Sequence, residues 1–411
     1  MKKFVIISLI FFVSNLSFAQ NITKKFGSGI EYIGPDSSFS MKFGIRFQNL
    51  YSNEWTIRDD NFGYVEDHES DFVIKRSRLK FDGFAFTPKL KYKVELGLSN
   101  GDISGAENSA NGFAPRIILD AYVDWNFYKN FSLRVGQSKL PGNRERVISS
   151  AVMQFVDRSR LNSRYNIDRD MGLQLMHEFT IGENFEVKEI FAFTQGEGRG
   201  ITSGNLGGYD YTFRLEILPF GEFSKKGDFV GSAIVREKKP KLAIGATYDM
   251  NDKCVRENGQ LGDFIYDLNG DYAGKTLNTI FIDFMFKYSG LSIMGEYANK
   301  STPDGDPVVY DADGVTEIGE HFTGSGLNLQ AGWMFKSNWE IAGRFTQVIP
   351  TVGVGANETE YTLGVSKYIV GHSLKVQMDL SYRQREVAGN VSVNNGSNDL
   401  LFWRMQMDIH F

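Results

Sequence analysis

Cations at every second position mark the first candidate site. In the run Phe72-Val73-Ile74-Lys75-Arg76-Ser77-Arg78-Leu79-Lys80-Phe81-Asp82-Gly83, Arg76, Arg78 and Lys80 share one face of an extended chain. Leu79 and Phe81 share the other face. Side chains on one strand face recur about every 6.5–7 Å, so the three cations would form a ladder. Guanidinium groups donate in a planar fork that suits an oxyanion, and the chemistry is attraction of an anion without bond making. The competing reading pairs these cations with Glu95, Asp120 or Asp124 on neighbouring strands as ordinary wall ion pairs. A second basic region spans residues 139–170. It holds Lys139, Arg144, Arg146, Arg158, Arg160, Arg164 and Arg169 against Glu145, Asp157, Asp168 and Asp170, seven positive to four negative. The whole chain, by contrast, carries −5. Folded into a pore, such a loop would narrow it and set its charge selectivity; left outside, it would be a solvated or subunit-contacting loop.

Other chemistry finds little support. The histidines (His68, His177, His321, His372 and His410) are scattered without metal-ligand spacing, and no nucleophile sits in a recognisable catalytic setting. No enzyme activity and no cofactor is therefore expected. Cys254 is the single cysteine, which excludes an intramolecular disulfide. Asp267-Leu268-Asn269-Gly270-Asp271 and Asp304-Gly305-Asp306, with Asp311 and Asp313-Gly314, space oxygens as calcium loops do. They lack the remaining ligands and read as solvated loops, so no metal is expected. Net negative charge argues against nucleic acid.

The elements that would position the basic residues are strands. Segments rich in aromatic and β-branched residues, broken by Gly, Asn and Asp, occur at 39–51, 72–86, 90–99, 117–127, 131–138 and 171–180. They continue at 185–194, 209–218, 241–250, 276–288 and 291–299. The last are 322–336, 339–348, 359–369, 373–386 and 399–411. That makes sixteen, an even number as single-chain barrels require. Leu90, Tyr92, Val94, Leu96 and Leu98 alternate with Lys91, Lys93 and Glu95, and Leu374, Val376, Met378 and Leu380 alternate with Lys375, Gln377 and Asp379. A Lys or Arg facing mid-bilayer lipid costs about 2–4 kcal/mol, so the charged faces must line water. About sixteen strands leave an aqueous channel. Connections after even-numbered segments are short, those after odd-numbered ones long, as at periplasmic and extracellular ends. Residues 219–240 break the rule: a short turn belongs there, so either that turn carries an insertion or a strand is misjudged.

The ends fit an exported barrel. Lys2 and Lys3, the apolar stretch 4–13 and Ser17-Phe18-Ala19 read as a signal peptide over 1–19. Its removal takes the side-chain charge from −5 to −7. Residues 20–38 read as a periplasmic lead-in and 39–411 as the barrel. Phe411, Ile409, Met407, Met405 and Trp403 share one face of the last strand, opposite His410, Asp408, Gln406 and Arg404. A terminal aromatic closing such a strand resembles the insertion signal of Gram-negative outer-membrane proteins.

A family resemblance rests on several pieces: Lys75-Arg76-Ser77-Arg78-Leu79 with Gly83, Asp120-Ala121-Tyr122-Val123, and Arg134-Val135-Gly136-Gln137-Ser138-Lys139-Leu140-Pro141 leading to Glu145 and Ser149-Ser150. Asp157-Arg158-Ser159 and Arg169-Asp170-Met171-Gly172 complete it. With these the chain resembles the phosphate-selective porin O/P family, most densely over 72–175. The resemblance implies a sixteen-stranded homotrimeric outer-membrane porin whose third external loop folds inward and whose lumen carries an arginine ladder. The chain departs from the family pattern at Gly142-Asn143-Arg144 and Val156-Asp157-Arg158, and a basic ladder beyond the second strand is not evident. The expected function is passive diffusion of small hydrophilic solutes with a preference for phosphate-like anions, in outer-membrane lipid reached through the barrel-insertion machinery. The expected anion pathway comprises Arg76, Arg78, Lys80, Arg134, Lys139, Arg144, Arg146, Arg158 and Arg160. Its rivals are an adhesion or binding barrel with a plugged lumen, an outer-membrane hydrolase and a secreted β-sandwich.

Overall fold

The computed structural model describes residues 25–58, 65–103, 116–202, 204–303, 305–351, 353–386 and 398–411. The expected signal segment 1–19, Asp304 and parts of three long connections lie outside them.

Sixteen strands form one antiparallel barrel. They are β1 (Phe39–Ile57), β2 (Val65–Ala85), β3 (Thr87–Gly97), β4 (Ile118–Tyr128), β5 (Phe131–Lys139), β6 (Arg169–Ile181), β7 (Phe185–Thr194) and β8 (Asp210–Leu218). Then follow β9 (Lys241–Cys254), β10 (Lys275–Tyr288), β11 (Leu291–Ser301), β12 (Gly324–Met334), β13 (Trp339–Pro350), β14 (Asn357–Tyr368), β15 (Leu374–Glu386) and β16 (Asp399–His410). Each pairs with the next, and β16 closes on β1 with Arg46 opposite His410 and Ile57 opposite Asp399. Closure leaves no edge strand, which a bilayer requires because lipid cannot satisfy a free backbone edge. A short lead-in strand, Ile30–Ile33, pairs with the start of β1.

All sixteen expected segments are barrel strands. β1 and β2 run further than the alternation indicates, to Ile57 and back to Val65. Their ladder continues past the apolar belt, where neither face needs to be hydrophobic. Outward positions stay apolar and open: Phe213 is 47% exposed, Ile282 52% and Leu363 58%. A continuous apolar girdle of this kind is a lipid surface. Inward positions are polar, with Gln377, Asp283 and Asp408 all buried.

Two segments enter the lumen. The connection 140–168 carries helices α1 (Arg144–Val147) and α2 (Arg160–Tyr165). Ser159 caps α2, its hydroxyl accepting from the Asn162 amide, which satisfies an orphan donor of the first turn. Leu140, Leu161, Tyr165 and Ile167 bury against inward-facing Ala192, Phe281, Ala298 and Val348. Further along, Ile148 and Met153 pack with Met285, Met294, Ala243 and Leu218. These inward apolar side chains pin the loop to the β7–β13 wall. The irregular connection 219–240 is an insertion, with no strand misjudged. It forms a 3-10 turn at Ser224–Phe229 and rises into the lumen from the end carrying the short connections.

Candidate functional site

With one wall covered by both segments, the open space lies along β2–β7. A cavity of about 940 Å3 opens toward the short-connection end, among Lys91, Lys93, Asp124, Arg134, Glu178 and Glu186. A narrower cavity of about 340 Å3 lies above it. Arg78, Lys139 and Arg169 line both and stand where the two meet.

Charge is strongly biased in the narrow cavity. Lys75, Arg76 and Arg78 come from β2, Lys139 and Arg169 from the strand ends flanking the inward loop, Arg146 and Arg158 from that loop, and Arg199 from the connection after β7. Asp102 and Asp168 are the acidic residues of its lining. Several of the cations are neutralised by neighbours. Arg78 pairs with Asp102 at 2.5 Å and Glu95 at 3.0 Å, and Arg146 with Asp168 at 2.5 Å. Arg169 pairs with Asp120 at 2.6 Å, and Lys75 with Asp157 at 2.6 Å. Arg76 reaches Asp157 at 3.5 Å and donates to Gln48 at 2.5 Å.

Three cations have no carboxylate within 4 Å among the described residues. Lys139 donates to the carbonyls of Arg146, Val147 and Ile148 at 2.6, 3.2 and 3.3 Å. Arg158 donates to the carbonyls of Glu145 and Ile148 at 3.0 and 2.8 Å. Arg199 donates to the Asp102 carbonyl at 2.7 Å. Carbonyl dipoles hold these groups in place without cancelling their charge. The surplus is felt by Arg158, whose guanidinium is pushed down to about 9 by burial and by its neighbours Arg146 and Arg76. The loop carboxylates respond oppositely. Burial would raise Asp157 and Asp168, yet Lys75 with Arg76, and Arg146 with Arg169, hold them well below the usual carboxylate range. Both loop carboxylates therefore stay ionised at neutral pH, and basic residues outnumber acidic ones in the lining.

The expected pathway residues divide. Arg76, Arg78, Lys139, Arg146 and Arg158 surround the narrow cavity. Arg134 lines the wider one, held by Asp124 at 2.7 Å and lying over the Tyr122 ring. Lys80 stands one pleat below Arg78, paired with Asp82 at 2.9 Å and part exposed. Arg144 is not brought to either cavity. It is fully buried on the far wall, donating to Asp283 at 2.8 Å and Glu216 at 2.6 Å. Arg160 is also drawn away, to Glu358. Both turn because buried carboxylates on facing strands capture them, and an unpaired buried carboxylate is expensive.

Three contributors escaped the sequence reading. Lys75 faces the lumen beside Arg76 because the β1–β2 register shifts there, Gln48 pairing with Arg76 and Asn49 with Ile74. Such a bulge breaks strict alternation. Arg169 was counted with the loop and not with the pathway. Arg199 arrives on Gly196, Gly198 and Gly200, with φ of +104°, +87° and +79°. A side chain at Gly198 would meet the Gln260 carbonyl at 2.3 Å, so the alternate-glycine spacing was the available signal. The acidic external loops use their carboxylates locally: Asp267 accepts from the Asn269 and Asp271 amides at 2.9 and 2.8 Å.

Comparison with known proteins agrees with this architecture. An uncharacterized protein of Aquifex aeolicus is 25% identical over 331 residues, covering 74% of each chain. Among solved structures, an anion-selective porin from Comamonas acidovorans superposes with a TM-score of 0.53 at 11% identity, covering 91% of this chain and all of the other. OmpT of Vibrio cholerae, in a trimer form, gives the same values. OmpF of Salmonella typhi, in complex with daunomycin, gives 0.53 at 14% identity, covering 93% of this chain and 100% of the other. The sequence profile of the phosphate-selective porin O and P family matches residues 52–409, and the chain belongs to that family as a porin of the outer membrane.

Proposed function

We propose that this porin passes small hydrophilic solutes by diffusion with a preference for anions of the phosphate class. The observation that carries the reading is the narrow cavity's lining, with eight basic residues (Lys75, Arg76, Arg78, Lys139, Arg146, Arg158, Arg169, Arg199) against two acidic ones (Asp102, Asp168). An anion entering it trades hydration for guanidinium and ammonium donors, and leaves because most of those donors already share a carboxylate. Binding strong enough to enter and weak enough to release is what conduction demands. Lys139, Arg158 and Arg199 supply the uncompensated charge, while Arg76, Arg78 and Arg169 extend it along the wall. Family membership supports the phosphate class, as does the fork geometry of the arginines.

The same reading makes residues 1–19 a signal peptide, places both chain ends in the periplasm of a Gram-negative cell and assembles three copies side by side in lipid. The trimer form of the Vibrio cholerae structure supports the last point. The test is the reversal potential of the purified protein in a planar bilayer under a potassium chloride gradient, followed by phosphate titration. Anion preference with block by phosphate is expected. Cation preference would overturn the anion reading, and absence of conductance would favour an adhesion barrel with a plugged lumen.

A further inference from the structure

We infer that the 219–240 insertion is a fixed internal seal that closes the β8–β15 half of the barrel from the periplasmic end and brings Lys226 to the inner mouth of the pathway. The inference rests on the pore reading above.

Length first sets this connection apart. The other periplasmic connections, from residue 86 to residues 369–373, have one to five residues, whereas this one has 22. Strands β8 and β9 are directly paired, Ile217 opposite Ile244, so two residues would suffice to join them. The extra chain is then held at several points along its course. Lys287 of β10, buried in the wall, donates to the carbonyls of Gly227, Val230 and Ser232 at 2.8, 2.6 and 2.7 Å. An ammonium with three donors is fully satisfied by that grip. Phe223 is buried in the same apolar cluster as Ile148 and Met153 of the inward loop.

The two inward segments also bind each other. The Gly231 amide donates to the Val152 carbonyl at 2.8 Å, and Arg144 donates to the Asp228 carbonyl at 3.2 Å. The cavity at their seam measures about 10 Å3, near the lower limit for a single water. Behind the seam the inward polar residues are sequestered: Lys375 and Gln377 of β15 are 0% and 1% exposed. Across the lumen, Lys91 and Arg134 face open space. The barrel therefore has one wet half and one filled half.

The insertion's free side borders the wide cavity through Lys226 and Phe229. Lys225 and Lys226 both sit in the left-handed region, with φ of +55° and +56°. That conformation is unfavourable for a side-chain-bearing residue and is retained here because the docked turns on either side dictate it. Its consequence is to present Lys226 to the same cavity as Glu178 and Glu186, so the insertion offsets the acidic side of the exit.

The test replaces residues 220–241 with Asn-Gly, which joins positions 219 and 242 in the observed register, and compares single-channel currents with the full chain. Heat-modifiable migration identifies folded barrels. Conductance is expected to rise, by less than the roughly twofold that reopening half of the lumen would give, because the 140–168 loop still covers the β7–β13 wall. A folded deletion variant with unchanged conductance would overturn the seal. Lys226→Glu in the full chain tests the mouth without removing structure: a reversal potential shifted toward cations at near-unchanged conductance is expected, and an unshifted one would refute the role of Lys226. Should the deletion variant not fold, Lys287→Met takes its place, with fluctuating, enlarged openings expected and steady wild-type openings overturning the seal. A wild-type protein that conducts no ions would instead refute the pore reading itself.

Discussion

Replacing Arg158 by glutamine removes one of three uncompensated cations from the narrow cavity and keeps a side chain able to donate to one of the Glu145 and Ile148 carbonyls. The magnitude follows from the cavity's size. A volume of about 340 Å3 corresponds to a sphere of roughly 4 Å radius, so an ion at its centre feels each wall charge by about 1 kcal/mol in bulk water and about 4 kcal/mol at an effective dielectric of 20. Salt at about 0.1 M screens over about 10 Å, so little of this is lost at such range. With the smaller value, Arg158→Gln raises the barrier for an anion by about 1 kcal/mol and lowers that for a cation equally. The permeability ratio then moves by about 2 kcal/mol, or roughly 30-fold. The assay is reversal potential under a potassium chloride gradient, with Arg158→Lys as the charge-conserving partner and exposed Lys238→Gln as the charge-removing control. Arg158→Lys should keep most of the anion preference. Equal shifts for Arg158→Gln and Lys238→Gln, or none for either, would refute the assignment of selectivity to this cavity.

Asp168→Asn releases Arg146, 2.5 Å away, while Arg169 keeps Asp120 at 2.6 Å; anion preference should increase, and a shift of the reversal potential toward cations would count against the charge balance. Because those arginines hold Asp168 far below the usual carboxylate range despite its burial, its contribution to selectivity should be flat between about pH 5 and 8. Met153→Ala opens a cavity in the cluster that pins the inward loop, costing about 2–5 kcal/mol locally; faster tryptic cleavage at Arg158 or Arg160 in an intact barrel is expected, and unchanged protection would place the pinning elsewhere. Glu197, between β7 and β8, is raised to about 7, chiefly by burial, although the Leu206 and Gly207 amides donate to it. A raised folded-state value means its stabilising contribution is complete below the unfolded value and is lost as pH climbs through about 7. Amide exchange at Leu206 should therefore speed up between about pH 5 and 7 beyond the chemical rate and level off above, and Glu197→Gln should flatten that dependence; protection that grows with pH would contradict the sign.

The sequence by itself determined the barrel. Lipid outside and water inside impose a period of two on every spanning strand, so Leu90–Leu98 and Leu374–Leu380 announce themselves locally, and long and short connections alternate because the two ends face different compartments. It also showed that Arg76, Arg78, Lys139, Arg146 and Arg158 were available, since like charges concentrated in a net-negative chain are visible by counting. Where each of those side chains goes was decided by tertiary structure. Arg144 and Arg160 lie in the same basic loop as Arg158, yet Asp283, Glu216 and Glu358 on distant strands capture them. Lys75 enters the lumen through a register shift against β1, and Arg199 reaches the cavity from a connection some thirty residues beyond the loop it faces, by a glycine-bearing backbone. The 219–240 insertion was legible as an excess of length, but its inward course depends on Lys287, Val152 and Arg144. Spanning strands answer to their local surroundings and so can be read in order along the chain. A constriction is a balance of charges and contacts between segments far apart in sequence, and that balance exists only once the barrel has closed around them.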